Sequence, residues 1–118
     1  MSSPYHSKLI KGKNEFYGQV GDGYADHGFW GRPEDMNMAR PAFKVTEQCP
    51  GSDLVGETAA ALATGYLIFK DLDSAFANEC LSHAKELYDF AYNFRGKYSD
   101  CIPGSVILFS AILKIKIF

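Results

Sequence analysis

The sequence predicts an all-α fold in which a long ordered loop is followed by an antiparallel helical hairpin. Three observations carry that expectation. Residues 52–70 and 74–95 each place apolar side chains at spacings of three and four. Only about four residues separate the two stretches, too few for anything but a tight reversal. Residues 14–50, by contrast, are broken up by glycine and proline, which blocks long helices.

At 118 residues, the chain is long enough to bury roughly two-thirds of its extended surface, so a core is feasible. Apolar residues at 47% and charged residues at 22% exclude a disordered tail or a collagen-like repeat. The net charge of −2 argues against a nucleic-acid partner, which would call for a basic face. That total conceals three segments. The first thirteen residues hold Lys8, Lys11 and Lys13 and no acid, and the last fifteen hold Lys114 and Lys116 and no acid. Between Glu15 and Asp100 lie all fourteen acids against seven bases, a charge of −7.

The loop region comes first among the elements. Gly18-Gln-Val-Gly-Asp-Gly-Tyr-Ala-Asp-His-Gly is dense in glycine, and Pro33, Pro41 and Pro50 follow at short intervals. Its aromatic residues (Phe16, Tyr17, Tyr24, Phe29, Trp30 and Phe43) are too many for a flexible linker, so an ordered, packed loop is expected. Ser52 or Asp53 is the expected N-cap of the first helix, whose face is Val55, Ala59, Leu62, Tyr66 and Phe69. The small side chains of Thr58-Ala-Ala-Ala-Leu-Ala either let a neighbour approach closely or simply favour helix. Ser74 is the expected cap of the second helix, with Phe76, Cys80, Ala84, Leu87, Ala91 and Phe94 as its stripe and Gly96 as a left-handed terminator. From Ser105 to Phe118 the chain is nearly all apolar and β-branched, and it reads as a strand or an aggregation-prone run. Its apolar part is about half the length of a membrane-spanning helix.

Several chemistries can be weighed on residue types alone. Gly18-x-x-Gly21-x-Gly23 suggests a phosphate loop, but no strand clearly precedes it and Asp22 would repel phosphate. Asp22, Asp26 and His27 could bind a metal, although hydrogen-bonded turn residues are the more ordinary role. Asp71, Asp73 and Glu79 lack the spacing and glycine of a calcium loop, leaving caps and turn residues as their reading. Cys49, Cys80 and Cys101 form no CxxC pair. Buried free thiols are their expected state, with one disulfide and one leftover thiol as the alternative. Asp26-His27-x-x-Trp30 can present a hydrogen-bonding edge beside a flat apolar face, the combination a sugar needs. Trp30 anchoring the loop to the core, with His27 as its hydrogen-bond partner, is an equal alternative. An Arg32–carboxylate pair with Glu34 or Asp35 would shape the loop rather than catalyse.

Longer motifs add a resemblance. Phe16-Tyr-Gly-Gln-Val-Gly-Asp-Gly, Asp26-His27-x-x-Trp30-Gly-Arg-Pro-Glu-Asp-Met, Arg40-Pro-Ala-Phe-Lys and Pro50-Gly-Ser-Asp-Leu-Val-Gly-Glu-Thr-Ala-Ala-Ala-Leu-Ala occur in this order. His83-Ala-Lys-Glu-Leu-Tyr-Asp-Phe-Ala and Arg95-Gly-Lys-Tyr-Ser-Asp continue the series. Together they resemble family-9 glycoside hydrolases, most of all the animal cellulases, over about residues 14–101. Segments 1–13 (basic) and 102–118 (apolar) are unmatched by these motifs.

The resemblance implies a fragment of an (α/α)6 barrel and cleavage of internal β-1,4-glucosidic bonds of cellulose with inversion. Inversion needs one carboxylate to activate water and a second, more distant one as acid. The family's base lies in an Asp-Ala-Gly-Asp motif upstream and its acid Glu far downstream, and neither motif occurs in this sequence. The family's calcium pattern, Ser-Gly-x-x-Asp-Glu, lies beyond the matched region, so no cofactor is expected here. The resemblance assigns His27 and Trp30 to substrate binding and Asp26 and Arg32 to shaping the loop. It implies a β-1,4-glucan or cello-oligosaccharide ligand, no nucleic acid or membrane partner, and secretion, although residues 1–13 have no signal-peptide h-region. A shortened product, inactive alone, is the expectation. The alternatives are a non-catalytic carbohydrate-binding or interaction fragment and a piece that does not fold by itself.

Overall fold

The computed structural model describes residues 12–105. Most of the basic start (1–13) and, apart from Ser105, the apolar run Ser105–Phe118 expected as a strand lie outside them. The described residues are mostly helical. Strand β1 (Phe16–Val20) leads to a short helix α1 (Gly23–Gly28), a 3₁₀ turn at Pro33–Asp35 and strand β2 (Ala42–Val45). Helices α2 (Ser52–Phe69) and α3 (Ser74–Asn93) follow, then a second 3₁₀ turn at Tyr98–Asp100. No described helix is long and apolar enough to cross a membrane.

The region expected as loop alone is framed by a two-stranded antiparallel ribbon. Phe16 pairs with Val45 and Val20 with Ala42, and the register shifts between Tyr17 and Gln19. Gly18 sits in that bulge. A Cβ there would come within 2.3 Å of Leu54 Cδ2, so any side chain would have to displace Leu54 from the ribbon. The glycine that disguises the strand in the sequence is therefore what lets it pack. Phe16 and Val45 are buried, and the ribbon is pinned to the core at that end. Beside it, Lys44 Nζ donates to Glu15 at 2.9 Å, a bond that holds the ammonium above its usual pKa.

The helical hairpin appears where the periodicity places it, with different caps. Gly51, not Ser52 or Asp53, is the N-cap of α2, and it makes no side-chain cap bond. A Cβ at Gly51 would lie 2.7 Å from Tyr98 Cβ and 2.8 Å from Val45 Cγ1, so no larger residue fits. Ser52 and Asp53 bond across the fold instead. Ser52 Oγ donates to the Gly96 carbonyl (3.1 Å) and accepts from the Gly96 N–H (3.2 Å), while Asp53 Oδ1 accepts from the Tyr98 N–H at 3.0 Å. Asp73 rather than Ser74 caps α3, accepting from the Phe76 N–H at 3.0 Å. Gly96 is not a left-handed terminator: the helix closes at Phe94 in an extended conformation, and only Gly21 and Gly104 are described with positive φ among the glycines. Its small size serves a close approach, since a Cβ there would meet Pro50 at 2.8 Å.

Val55, Ala59 and Leu62 of α2 cluster with Cys80, Ala84, Leu87 and Phe90 of α3, and Phe16, Val45 and Ile102 complete the core. Small residues line the crossing. A Cβ at Gly65 would stand 3.5 Å from Cys80 Sγ, and one at Gly56 4.0 Å from Ala91 Cβ. Both distances are ordinary van der Waals contacts, so each glycine leaves room for a methyl group.

The cysteines correct a further expectation. Cys49 and Cys101 form a disulfide with Cα atoms 5.6 Å apart, and Cys80 alone is a buried free thiol. A separation of 52 residues gives no hint of the bond. It becomes possible because the hairpin returns the chain to the start of α2.

Candidate functional site

The candidate loop is built outward from β1. After Val20 the chain turns at Gly21 (φ +94°), where any Cβ would strike the Arg40 guanidinium at 2.6 Å. Its N–H donates to the Pro41 carbonyl at 2.8 Å, closing the ribbon. Asp22 then caps α1, with Oδ1 accepting from the Tyr24 and Ala25 N–H groups at 2.9 and 3.0 Å. A strand does precede this glycine loop, contrary to the sequence reading. The Asp22 carboxylate nevertheless holds the helix N-terminus that a phosphate would need, so the nucleotide reading fails for a local reason.

Asp26 and His27 lie on α1, Trp30 two residues beyond its end, and Arg32 at the start of the 3₁₀ turn. Asp26 pairs with Arg40, whose second nitrogen donates to the Val20 carbonyl at 3.2 Å. Arg32 forks onto Asp35 at 3.1 and 3.2 Å. Asp22 and Asp26, weighed as metal ligands, thus take the more ordinary role of bonded turn residues. Among the described residues no group of three or more His, Cys, Asp or Glu side chains gathers to hold a metal ion.

His27 is exposed, and Trp30 is 100% exposed. The alternative in which Trp30 anchors the loop to the core does not hold in this structure. Arg40 is the shaping residue that sequence reasoning missed. It was visible only as part of a motif, and its contacts, to Val20 and Asp26, span 20 and 14 residues. An open groove of about 1,110 Å³ between α2 and α3 is lined by none of the candidate residues. Gly56, Ala60 and Ala63 on one side face Tyr88 and Tyr92 on the other. A valley lined by small residues between two helices is consistent with ordinary helix packing.

Comparisons with known proteins agree on one family. The profile described as glycosyl hydrolase family 9 matches residues 3–108. Endoglucanase 4 of Bacillus sp. (strain KSM-522) is 54% identical over 104 residues, covering 88% of this chain and 16% of the bacterial protein. The endoglucanase of the termite Nasutitermes takasagoensis superposes with a TM-score of 0.78 at 60% identity, over 82% of this chain and 22% of its own. The cellulase Cel9M of C. cellulolyticum, solved with cellobiose, gives 0.73 at 44% identity, over 79% and 22%. The chain thus spans about a fifth of these solved enzymes, and its hairpin is a piece of the family's (α/α)6 barrel. Over that span, the bulged ribbon, the Asp22-capped turn and the helical hairpin belong to a chain of glycosyl hydrolase family 9.

Proposed function

We propose that this chain carries part of the substrate cleft of an endoglucanase that cleaves internal β-1,4-glucosidic bonds of cellulose with inversion. Trp30 supplies an apolar face for a glucose ring and His27 a hydrogen-bonding edge, while Asp26 and Arg32 hold the loop in shape. The observation that carries this reading is the complete exposure of Trp30 on a loop tied down by ion pairs. A bare indole surrounded by fixed backbone is a surface waiting for a flat ligand. The cellobiose held by the C. cellulolyticum enzyme supports the same ligand class.

Catalysis is a separate matter. Family-9 inversion uses two carboxylates, and neither of the motifs that carry them occurs in this sequence, so the 118-residue chain alone has no acid, base or water-activating pair. It binds sugar and does not hydrolyse it. The disulfide supports a secreted protein, since such bonds persist in oxidising compartments.

Isothermal calorimetry with cellohexaose tests the binding. Saturable heat is expected, falling at least tenfold in affinity for Trp30→Ala with no change in melting temperature. Absence of binding by the parent chain would sink the proposal. Reducing-sugar release from carboxymethylcellulose, with the termite enzyme as positive control, should stay at background, and turnover above it would overturn the inactivity.

A further inference from the structure

We propose that the Cys49–Cys101 disulfide is a positioning device for the loop that carries His27 and Trp30, acting through a backbone floor formed by residues 102–104. The functional consequence rests on the sugar-binding reading above, whereas the geometry stands without it.

The disulfide joins the segment entering α2 to the 3₁₀ turn that follows α3. One residue on, Ile102 is 1% exposed, and its Cδ1 would lie 3.2 Å from a Cβ on Gly18, directly behind the β1 bulge. Gln19 reaches from the same strand, its Nε2 donating to the Gly21 carbonyl at 2.9 Å and, more weakly, to the Pro103 carbonyl at 3.5 Å. Gly104 then takes φ +76°, and a Cβ on it would come within 3.2 Å of both Gly23 N and Gly23 Cα. Reciprocally, a Cβ on Gly23 would meet the Gly104 carbonyl oxygen at 2.8 Å. Two bare backbones touch here, at the first residue of α1.

Three residues therefore separate a covalent tie from the base of the candidate sugar loop, and each step is a close contact. Ser105 closes the far side, its Oγ donating to the Ile102 carbonyl at 2.7 Å while its side chain is fully buried. A disulfide that only restrains the unfolded chain would change global stability and leave the loop's local openings untouched. A disulfide that holds the floor in place must change those openings.

Amide hydrogen exchange separates the two. In the full chain, the Tyr24, Ala25 and Asp26 N–H groups are protected only by the Asp22 cap and the first bond of α1. In Cys49→Ala/Cys101→Ala we expect these three amides to exchange at least tenfold faster than in the oxidised parent. Unchanged rates there, with acceleration confined to α3 amides around Cys80–Phe90, would make the bond a simple staple and overturn the proposal. Gly104→Ala keeps the disulfide and disturbs only the floor, and it should accelerate the same three amides. If it does not, the floor positions nothing. Should the double variant fail to fold, the parent chain folded first and then reduced with dithiothreitol gives the same reading with the same two outcomes. Cellohexaose affinity, measured on the same samples, should fall at least fivefold in step with the exchange. Failure of the parent to bind would remove the sugar reading and leave the exchange result to decide the positioning claim.

Discussion

Gly18 shows how much a single absent side chain can carry. Its Cα faces Leu54 and Ile102 so closely that a methyl group would overlap Leu54 Cδ2 at 2.3 Å. Gly18→Ala should destabilise the chain by about 1–3 kcal/mol, the usual cost of overpacking a tight contact, read as a lower urea midpoint. Cys80 makes a different point. Burial among α2 and α3 pushes its thiol above the ordinary value, with the nearby Glu79 carboxylate adding to the rise. Because the thiolate is the reactive form, a disulfide-exchange reagent at pH 8 should label the native chain slowly and the denatured chain quickly. One thiol should titrate after denaturation, not three. A count of three would mean that Cys49 and Cys101 are unpaired.

Between elements, the hairpin is held by Val55, Leu62, Leu87 and Phe90 together with small residues along the crossing. The glycines along α2 are not equivalent in that crossing. Gly65 has room for a Cβ at ordinary contact distance from Cys80, whereas Gly51 at the helix start has none. Gly65→Ala should therefore stabilise the chain by about 0.5–1 kcal/mol through helix propensity, visible as a higher melting temperature. A drop would mean that the helices approach more closely than these distances allow. The same elements show what a linear reading can see. Spacings of three and four predicted α2 and α3 because the helix period is local. The caps were displaced because Ser52 and Asp53 bond to Gly96 and Tyr98, partners more than forty residues away that only the folded hairpin supplies. The β1–β2 ribbon was hidden for a similar reason, since Gly18 reads as loop until Leu54 is brought beside it. Trp30 and His27 could be singled out because their chemistry is local to five residues. Arg40 could not, because its role exists only where two distant segments meet.

Seen as a whole molecule, the described residues have one finished side and one unfinished side. Leu67, Ile68 and Leu72 stand 64, 59 and 79% exposed at the far end of the hairpin, while the core end is closed by the ribbon, the Ser52–Gly96 bonds and the disulfide. A piece covering 22% of the termite chain would leave such faces bare, because a barrel helix is normally covered by neighbours on more than one side. The disulfide spans the hairpin but closes it only at that core end. The opposite reversal, Lys70–Asp73, is therefore the one place where both helices hang on a single exposed strand of backbone. Limited trypsin cleavage after Lys70 would part the peptide without parting the molecule. The nicked chain should run as one band on a non-reducing gel and as two once a thiol is added, and two bands without thiol would refute the Cys49–Cys101 link. Two helices cut apart at one end and riveted at the other make a heterodimer out of a single gene product, with the join already in place.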